Sequence, residues 1–308
     1  MRDQINGLHH VTALASGAVA NNAFFTGTLG LRRVKKTVNF DAPDVYHLYY
    51  GDAAGTPGTV MTYFPFEGAR RGRAGTGEVA LTAFAVPVGS LDAWQRRLAA
   101  AKVAGLSQET RFGAPRLRFE GPDGEGLALV ETEEARVGWT DDGLDARIAI
   151  RGFRGVTLRL AEAGPTADLL SLMGYEEAAR EGSTTRYVRP GGNGADIVDV
   201  DVVAAPPASQ GAGSVHHIAF SVPDRAAQQT VREGLIGAGF DVTPPIDRDY
   251  FMAIYFRSPG GVLFEVATDD PGFDRDEDPA HLGEALKLPR QHEHLRTRLE
   301  KDLVPLEG

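Results

Sequence analysis

The chain has 308 residues, of which 42% are hydrophobic, and its formal net charge is -10. This length allows a large buried core and two domains, while the negative charge argues against a nucleic-acid partner. Because the chain has no cysteine, disulfides and thiolate metal sites are excluded, and any metal must be bound by histidine, carboxylate or water.

The N-terminal residues carry no apolar segment typical of a signal peptide. No apolar run in the chain is long enough to span a bilayer. We therefore expect a cytoplasmic protein that has no membrane partner.

Two pairs of adjacent histidines lie inside short apolar runs. His9 and His10 fall in residues 7–12, and His216 and His217 fall in residues 213–222, where a packed strand would ordinarily carry Ile or Val. Because successive side chains of a strand point to opposite faces, we expect one imidazole of each pair to face a cavity and its neighbour to face away.

Internal repeats divide the chain into four units. Residues 77–87 match residues 213–223, and residues 7–12 match residues 152–157. Each unit reads as a strand, a helix and further strands. The predicted units cover residues 6–66, 76–134, 150–204 and 213–269.

Helix and turn signals support this division. Helices are predicted over residues 90–101 and 224–237, and two others are predicted to end at Gly30 and Gly174. Gly-Pro and Pro-Gly steps predict closing hairpins in the second and fourth units. The polar stretch 133–146 separates two halves. The predicted domains are an N-terminal pair of units at 1–137, a C-terminal pair at 146–270, and a tail with a helix at 271–308.

The repeat also tests whether the fold requires these histidines. In the sister units other residues occupy the four positions: Ala80 and Leu81 in the second unit, Arg154 and Gly155 in the third. Histidine is therefore not needed there for folding, which favours a role as a metal ligand.

A carboxylate interrupts the otherwise apolar closing strand 262–268. An ionised Glu265 would be costly to bury unless it were paired or bound to a metal, and its counterpart in the second unit is Ala128. With His10 and His217 it forms a two-histidine, one-carboxylate set, which is typical of non-haem Fe(II) but also suits Mn, Co, Ni or Zn. The first and fourth units are therefore predicted to share one barrel, and the second and third to form a barrel without metal.

Five segments carry a resemblance to a known family. They are Gly-Leu-His-His-Val-Thr at 7–12, Val-His-His-Ile-Ala-Phe at 215–220, Asp-Arg-Asp-Tyr-Phe at 247–251, Ser-Pro-Gly-Gly at 258–261 followed by Phe264-Glu265, and Leu-Gly-Glu-Ala-Leu-Lys-Leu-Pro at 282–289. Together they resemble the vicinal oxygen chelate (glyoxalase/bleomycin resistance/dioxygenase) superfamily, and more narrowly its ring-cleaving hydroquinone 1,2-dioxygenases.

The resemblance implies an α+β fold in which four βαβββ modules pair into two open barrels. It implies Fe(II), with Mn(II) as a substitute, held by His10, His217 and Glu265. It also implies extradiol-type, O₂-dependent cleavage of a hydroquinone or related dihydroxylated aromatic ring.

The same resemblance assigns catalytic roles to His216, Arg248, Tyr255, His9 and Thr12. Arg248 could stabilise a charged oxygen species, Tyr255 could donate a hydrogen bond to it, and His216 could move a proton. Two alternatives stay open. Arg248 could instead pair with Asp247 or Asp249, and Tyr255 could be a core aromatic residue.

Other members of the superfamily offer alternative functions. A glyoxalase-like isomerase or lyase usually takes a fourth ligand, a carboxylate, from the partner unit, but the closing strand at 59–64 has no acid. Fosfomycin-type thiol transferases use the same ligand set on shorter chains of two modules. A non-catalytic aromatic-ligand or antibiotic-binding protein would be expected to have lost a ligand.

The tail combines acidic residues with His292 and His294, which could be read as a second metal site. We expect instead a solvated loop followed by an amphipathic helix at 290–303, packed on the domains or on the partner subunit of a homo-oligomer. The Gly-rich segment 191–194 lacks the Lys and Ser/Thr of a phosphate loop and is predicted to be a hairpin turn.

Overall fold

The computed structural model describes residues 1–140 and 143–306. It contains the four predicted units, each with one helix and four strands. The first unit comprises β1 (Leu8–Ala15), α1 (Ala18–Asn22), β2 (Arg32–Val38), β3 (Tyr46–Gly51) and β4 (Val60–Pro65). The second comprises β5 (Glu78–Val86), α2 (Leu91–Ala100), β6 (Ser107–Arg111), β7 (Ala114–Glu120) and β8 (Gly126–Glu131).

The second half repeats this order. The third unit comprises β9 (Phe153–Leu160), α3 (Gly164–Leu172), β10 (Glu176–Glu181), β11 (Thr184–Val188) and β12 (Ile197–Val202). The fourth comprises β13 (Val215–Val222), α4 (Arg225–Gly237), β14 (Ile246–Asp247), β15 (Phe251–Arg257) and β16 (Leu263–Pro271). The predicted turn at 191–194 connects β11 and β12.

Glycines end two helices at the predicted places, and an aspartate caps the start of a third helix. A π-helical turn, Ala23–Thr28, extends α1, and Gly30 follows it with a φ of 70°. Gly174 follows α3 with a φ of 92°. A residue in the left-handed conformation turns the chain away from the helix axis, and glycine adopts this conformation without a steric penalty. Asp224 caps α4 by accepting a hydrogen bond from the backbone nitrogen of Ala227.

The strands form two eight-stranded sheets. The first has the order β14-β15-β16-β13-β1-β4-β3-β2, and the second has the order β10-β11-β12-β9-β5-β8-β7-β6. We call them the first barrel and the second barrel. The first and fourth units share the first barrel, joined by the antiparallel pair β1 and β13. The second and third units share the second barrel, joined by β5 and β9. The predicted α+β fold of paired modules is confirmed.

Each barrel takes one unit from either half of the chain. The domain boundaries at 1–137, 146–270 and 271–308 stay a prediction. Residues 141–142, inside the predicted junction, and residues 307–308, at the end of the predicted tail, lie outside the described residues.

Four β-bulges interrupt the central strand pairs. In the first barrel Leu8 pairs with Phe220 and His10 pairs with Ala219, so His9 is an unpaired extra residue on β1. A second shift in the same strand pair leaves His216 as an unpaired extra residue on β13. The pairing of β5 with β9 contains the same two shifts, at Ala80 and Arg154. A bulge re-aims the side chain of the extra residue. The four bulges thus fall on equivalent positions of the two barrels.

The tail is less regular than expected, while most of its acidic loop is exposed, as expected. The predicted helix begins with the 3₁₀ segment Arg290–Leu295 and becomes α-helical only in α5 (Arg296–Asp302). The acidic loop is nevertheless attached to the first barrel, because the fully buried ammonium group of Lys35, on β2, contacts Asp276 at 2.7 Å and also Glu277. A buried cation needs such partners. The acidic residues therefore attach the tail to the first barrel.

No helix among the described residues is long and apolar enough to cross a membrane. Homo-oligomeric assembly and a cytoplasmic location stay predictions.

Candidate metal centre

Three buried side chains from three adjacent strands converge in the first barrel. His10 lies on β1, His217 on β13 and Glu265 on β16, and one potential ligand atom from each lies within 4.8 Å of the others. Nε2 of His10 lies 3.3 Å from Nε2 of His217 and 3.5 Å from Oε2 of Glu265. The structure thus brings together the three predicted ligands. Within residues 1–140 and 143–306 they are the only such group, and His292 and His294 belong to none.

The carboxylate of Glu265 is fully buried and lacks a conventional hydrogen bond. Oε2 lies 2.9 Å from Nε2 of His217, but among the described residues neither oxygen accepts a well-aligned hydrogen bond. Burial by itself would raise the pKa of Glu265, but His10 and His217 outweigh it and hold the pKa well below its ordinary value. A buried anion with unused lone pairs beside two imidazoles is what a divalent cation requires.

Each candidate ligand histidine is hydrogen-bonded to its neighbour in sequence. Nδ1 of His9 lies 2.9 Å from Nδ1 of His10, and Nδ1 of His216 lies 2.8 Å from Nδ1 of His217. The expectation that the two rings of a pair point to opposite faces of the strand is therefore wrong here, because a bulge at each pair brings the two rings into contact.

The neighbouring rings are neutral near pH 7. Burial, followed by the adjacent His10, lowers the pKa of His9 to about 3. Burial, followed by His217, lowers the pKa of His216 to about 4. A neutral ring can accept a hydrogen bond from Nδ1–H of the ligand histidine, which leaves the ligand's Nε2 lone pair free for a metal.

A cavity of about 520 Å³ adjoins these residues. Six of the eight predicted site residues line it: His10, His216, His217, Arg248, Tyr255 and Glu265. His9 and Thr12 lie behind this wall. Thr12 is fully buried and accepts a hydrogen bond from Thr62 at 3.0 Å. Much of the remaining wall is aromatic, with Phe40, Phe64 and Phe251.

Arg248 and Tyr255 form a polar pair on the cavity wall. Nε of Arg248 donates to the hydroxyl of Tyr255 at 3.2 Å, and Nη1 lies 3.6 Å from the carboxylate of Asp41. The alternative in which Arg248 pairs with Asp247 or Asp249 is wrong, since Asp249 contacts Arg275 instead. Tyr255 also packs against a buried apolar cluster, so it combines a core contact with a place on the cavity wall.

Burial, followed by the charge of Glu265, raises the pKa of Tyr255 well above its ordinary value. Burial acts against the charge of Arg248, but its contacts with Tyr255 and Asp41 raise its pKa. The cavity therefore presents a protonated phenol and a permanent cation.

Sequence reasoning missed a second polar chain, on β3 and β4. The hydroxyl of Tyr49 lies 2.8 Å from Nδ1 of His47, and Nε2 of His47 lies 2.8 Å from the hydroxyl of Thr62. Since Thr62 donates to Thr12, it accepts from Nε2–H of His47, and Nδ1 then accepts from Tyr49. Burial, followed by His10 and His217, holds the pKa of His47 well below its ordinary value. A histidine inside an otherwise apolar, aromatic strand was the available signal.

Thr62 stands at the place equivalent to Glu265 in the partner unit. β3 pairs Tyr49 with Thr62 on β4, as β15 pairs Tyr255 with Glu265 on β16. A glyoxalase-like enzyme would be expected to carry its fourth ligand, a carboxylate, at this place. A metal held by His10, His217 and Glu265 would therefore have three protein ligands and would keep further positions for other ligands.

The family model of the Glyoxalase/Bleomycin resistance protein/Dioxygenase superfamily matches residues 7–129 and 154–266. The chain is 43% identical over 309 aligned positions to a Bacillus subtilis protein named "Putative ring-cleaving dioxygenase MhqO", covering 100% of this chain and 98% of the relative. It is 35% identical to a Sphingobium indicum protein named "Chlorohydroquinone/hydroquinone 1,2-dioxygenase", covering 96% of this chain and 95% of the relative.

Solved structures show the same fold. A crystal structure of a Bacillus subtilis protein described as a "putative dioxygenase" superposes with a TM-score of 0.96 at 42% identity, covering 99% of this chain and 98% of the other. Glyoxalase I from Zea mays superposes with a TM-score of 0.63 at 12% identity, covering 85% of this chain and 92% of the other, a likeness that concerns the fold alone.

Proposed function

This chain belongs to the Glyoxalase/Bleomycin resistance protein/Dioxygenase superfamily, and we propose that it is an Fe(II)-dependent dioxygenase. Its substrate is a hydroquinone or a related dihydroxylated aromatic compound, whose ring it cleaves with O₂ in an extradiol-type reaction. The observation that carries the proposal is the buried set of His10, His217 and Glu265 on the wall of an aromatic cavity. The names of the relatives support the reaction class and the substrate.

The ligand set fits a divalent iron ion. Two imidazoles and one carboxylate provide three donors, and the carboxylate balances part of the cation's charge. When bound, Fe(II) would supply open positions for a substrate oxygen and O₂ and would carry electrons between them. Mn(II) suits the same donors and is the substitute that we propose.

The chain's own residues position the substrate and the charge. Phe40, Phe64 and Phe251 pack against an aromatic ring and exclude water from the cavity. The phenol of Tyr255 donates a hydrogen bond to an oxygen atom in the cavity, and the guanidinium of Arg248 behind it stabilises negative charge that develops there. His9 and His216 orient the ligand imidazoles through their Nδ1 atoms.

The test is O₂ consumption by protein loaded anaerobically with Fe(II) or with Mn(II). Hydroquinone, catechol and the glutathione adduct of methylglyoxal would each be offered. We expect one O₂ consumed per hydroquinone with the Fe(II) protein, and loss of the ring's ultraviolet absorption.

The other outcomes discriminate among the alternatives. O₂ consumption with catechol alone would change the substrate class. Isomerisation of the glutathione adduct without O₂ consumption would favour a glyoxalase-like enzyme, which the threonine at position 62 makes unexpected. Binding of aromatic compounds without turnover by the iron-loaded protein would favour a ligand-binding protein and contradict the proposal.

A further inference from the structure

The second barrel contains a cavity at the place equivalent to the metal centre. Its volume is about 140 Å³, and it is lined by Leu81 and Gly155, the counterparts of His217 and His10. Ala83 pairs with Ala128 in this barrel as Ala219 pairs with Glu265 in the first. All three candidate metal ligands are thus replaced, while the cavity is kept.

Four arginines line this second cavity, and three of them have carboxylate partners. Arg111 lies 3.0 Å from Glu181, Arg116 lies 2.7 Å from Glu109, and Arg186 makes two hydrogen bonds of 2.8 Å to the two carboxylate oxygens of Asp199. The fourth arginine is Arg154.

Arg154 has no such partner. Among the described residues, no carboxylate oxygen lies within 4.0 Å of its guanidinium, and its side chain makes no hydrogen bond. The bulge at Arg154 is the counterpart of the bulge that turns His9 towards His10. Burial, followed by the nearby charge of Arg186, lowers its pKa. Asp196 and Glu134 act on its charge from farther away, but among the described residues neither lies within 4.0 Å, so this half-buried cation lacks a direct ion-pair partner.

The carboxylates on the cavity wall are already engaged. Both oxygens of Asp199 are used by Arg186, and Glu131 accepts hydrogen bonds from the backbone nitrogens of Gly89 and Leu91. The wall keeps an excess of positive charge next to Arg154.

Phe112 occupies a strained position on the same wall. It forms the two-residue turn between β6 and β7 with Gly113, and both residues have positive φ, 48° and 75°. Such turns favour Asn-Gly, and a bulky residue in the left-handed region is uncommon. The ring lies 4.0 Å from the guanidinium carbon of Arg186, and the backbone nitrogen donates to Glu181 at 2.5 Å. These contacts hold an apolar ring on the wall of a cationic cavity.

We propose that the second barrel binds a small carboxylate, with the guanidinium of Arg154 as its anchor and the Phe112 ring beside its apolar part. A guanidinium matches a carboxylate with two parallel hydrogen bonds, and the size of the cavity restricts the ligand to a few heavy atoms. This site is independent of the proposed dioxygenase centre.

The experiment is a titration of the full-length protein with sodium acetate, followed by calorimetry and by ¹³C NMR of labelled acetate. Sodium chloride at equal ionic strength controls for screening. We expect saturable binding of acetate, weakened at least about tenfold by Arg154→Leu, since a charge-assisted pair exceeds 1.4 kcal/mol. Arg147→Leu is the matched control, because it removes the same charge from an 87% exposed side chain outside the cavity.

Absence of saturable binding to the wild-type protein would overturn the proposal, and so would equal affinities for wild-type protein and Arg154→Leu. If Arg154→Leu fails to fold, Arg154→Lys keeps the charge without the two-pronged geometry, and unchanged affinity in that variant would contradict the anchor role. Metal content and O₂ consumption measured on the same samples separate this site from the dioxygenase centre.

Discussion

The two barrels share a backbone and differ in the chemistry of a few equivalent positions. Both pair two units through a central antiparallel pair of strands, and both carry bulges at the same two places. In the first barrel these strands present His10 and His217 beside Glu265, an arrangement that attracts a cation. In the second they present Leu81 and Gly155 beside arginines.

Because both barrels carry the bulges and only the first has the candidate metal ligands, the bulges are a feature of the fold and do not depend on the metal site. The shift at Ala80 exists although alanine has no polar side chain to aim. The fold thus supplies a re-aimed side chain at each bulge, and the residue type decides whether it supports a metal ligand, an ion or nothing.

The largest effect is expected from removing the carboxylate of the first barrel. Glu265→Ala deletes the anionic ligand, so metal affinity should fall by more than about 100-fold, since even outer partners of metal ligands contribute about 10- to 100-fold. His217→Ala should lower the metal affinity to a similar extent. Metal content after dialysis, together with O₂ consumption, measures this. Retention of one equivalent of iron by Glu265→Ala would show that the ligand assignment is wrong.

The counterpart substitution in the second barrel should change stability and not metal content. Leu81 is buried, so Leu81→Ala leaves a cavity and should lower the free energy of unfolding by about 2 to 5 kcal/mol. Urea unfolding of the metal-free protein measures this, and metal analysis of the same variant should give the wild-type content. Loss of metal would mean that the barrels are strongly coupled.

The metal-free first barrel should be sensitive to acid. His9 and His216 have pKa values of about 3 and 4 in the folded protein and about 6.5 when unfolded, so between these values the unfolded chain binds more protons. The free energy of unfolding should therefore decrease as the pH falls from 6.5 towards 4, by at most about 1.4 kcal/mol per pH unit for each ring. The lowered pKa of Glu265 acts in the same direction below about pH 4.5.

His216→Gln removes one of these rings and should reduce the slope of unfolding free energy against pH. Chemical unfolding at a series of pH values measures it. An unchanged slope in the variant would exclude His216 as a source of the acid sensitivity.

The smallest effects concern the arginine partners of the two cavities. Asp199 is 7% exposed and binds Arg186 through both oxygens, so Asp199→Asn should lower the free energy of unfolding by about 1.5 to 3 kcal/mol. Asp41 is 83% exposed and 3.6 Å from Arg248, so Asp41→Asn should change stability by less than about 0.5 kcal/mol. Thermal unfolding of both variants compares the stability that each ion pair contributes. A larger loss of stability for Asp41→Asn than for Asp199→Asn would contradict the expectation that the buried pair contributes more.

Much of the fold could be predicted from the sequence because its signals are local. The repeated strand and helix patterns, the turn glycines Gly30 and Gly174 and the cap Asp224 each act within a few residues of their own position. Comparison of the repeats also singled out His10, His217 and Glu265, because the sister units replace them. A buried carboxylate in an apolar strand is costly enough to be conspicuous in the sequence.

The tertiary structure decided what depends on distant strands. The bulges that turn His9 and His216 towards their neighbours arise from the register between β1 and β13, which no local pattern reveals. His47 and Thr62 join the first barrel's polar network because β3 and β4 pair beside β1. Among the described residues Arg154 has no direct ion-pair partner, because Arg186 takes both oxygens of Asp199 and Asp196 and Glu134 lie beyond 4.0 Å. Such outcomes reflect competition among many long-range contacts, whereas turns, caps and apolar periodicity reflect the short-range preferences of the chain.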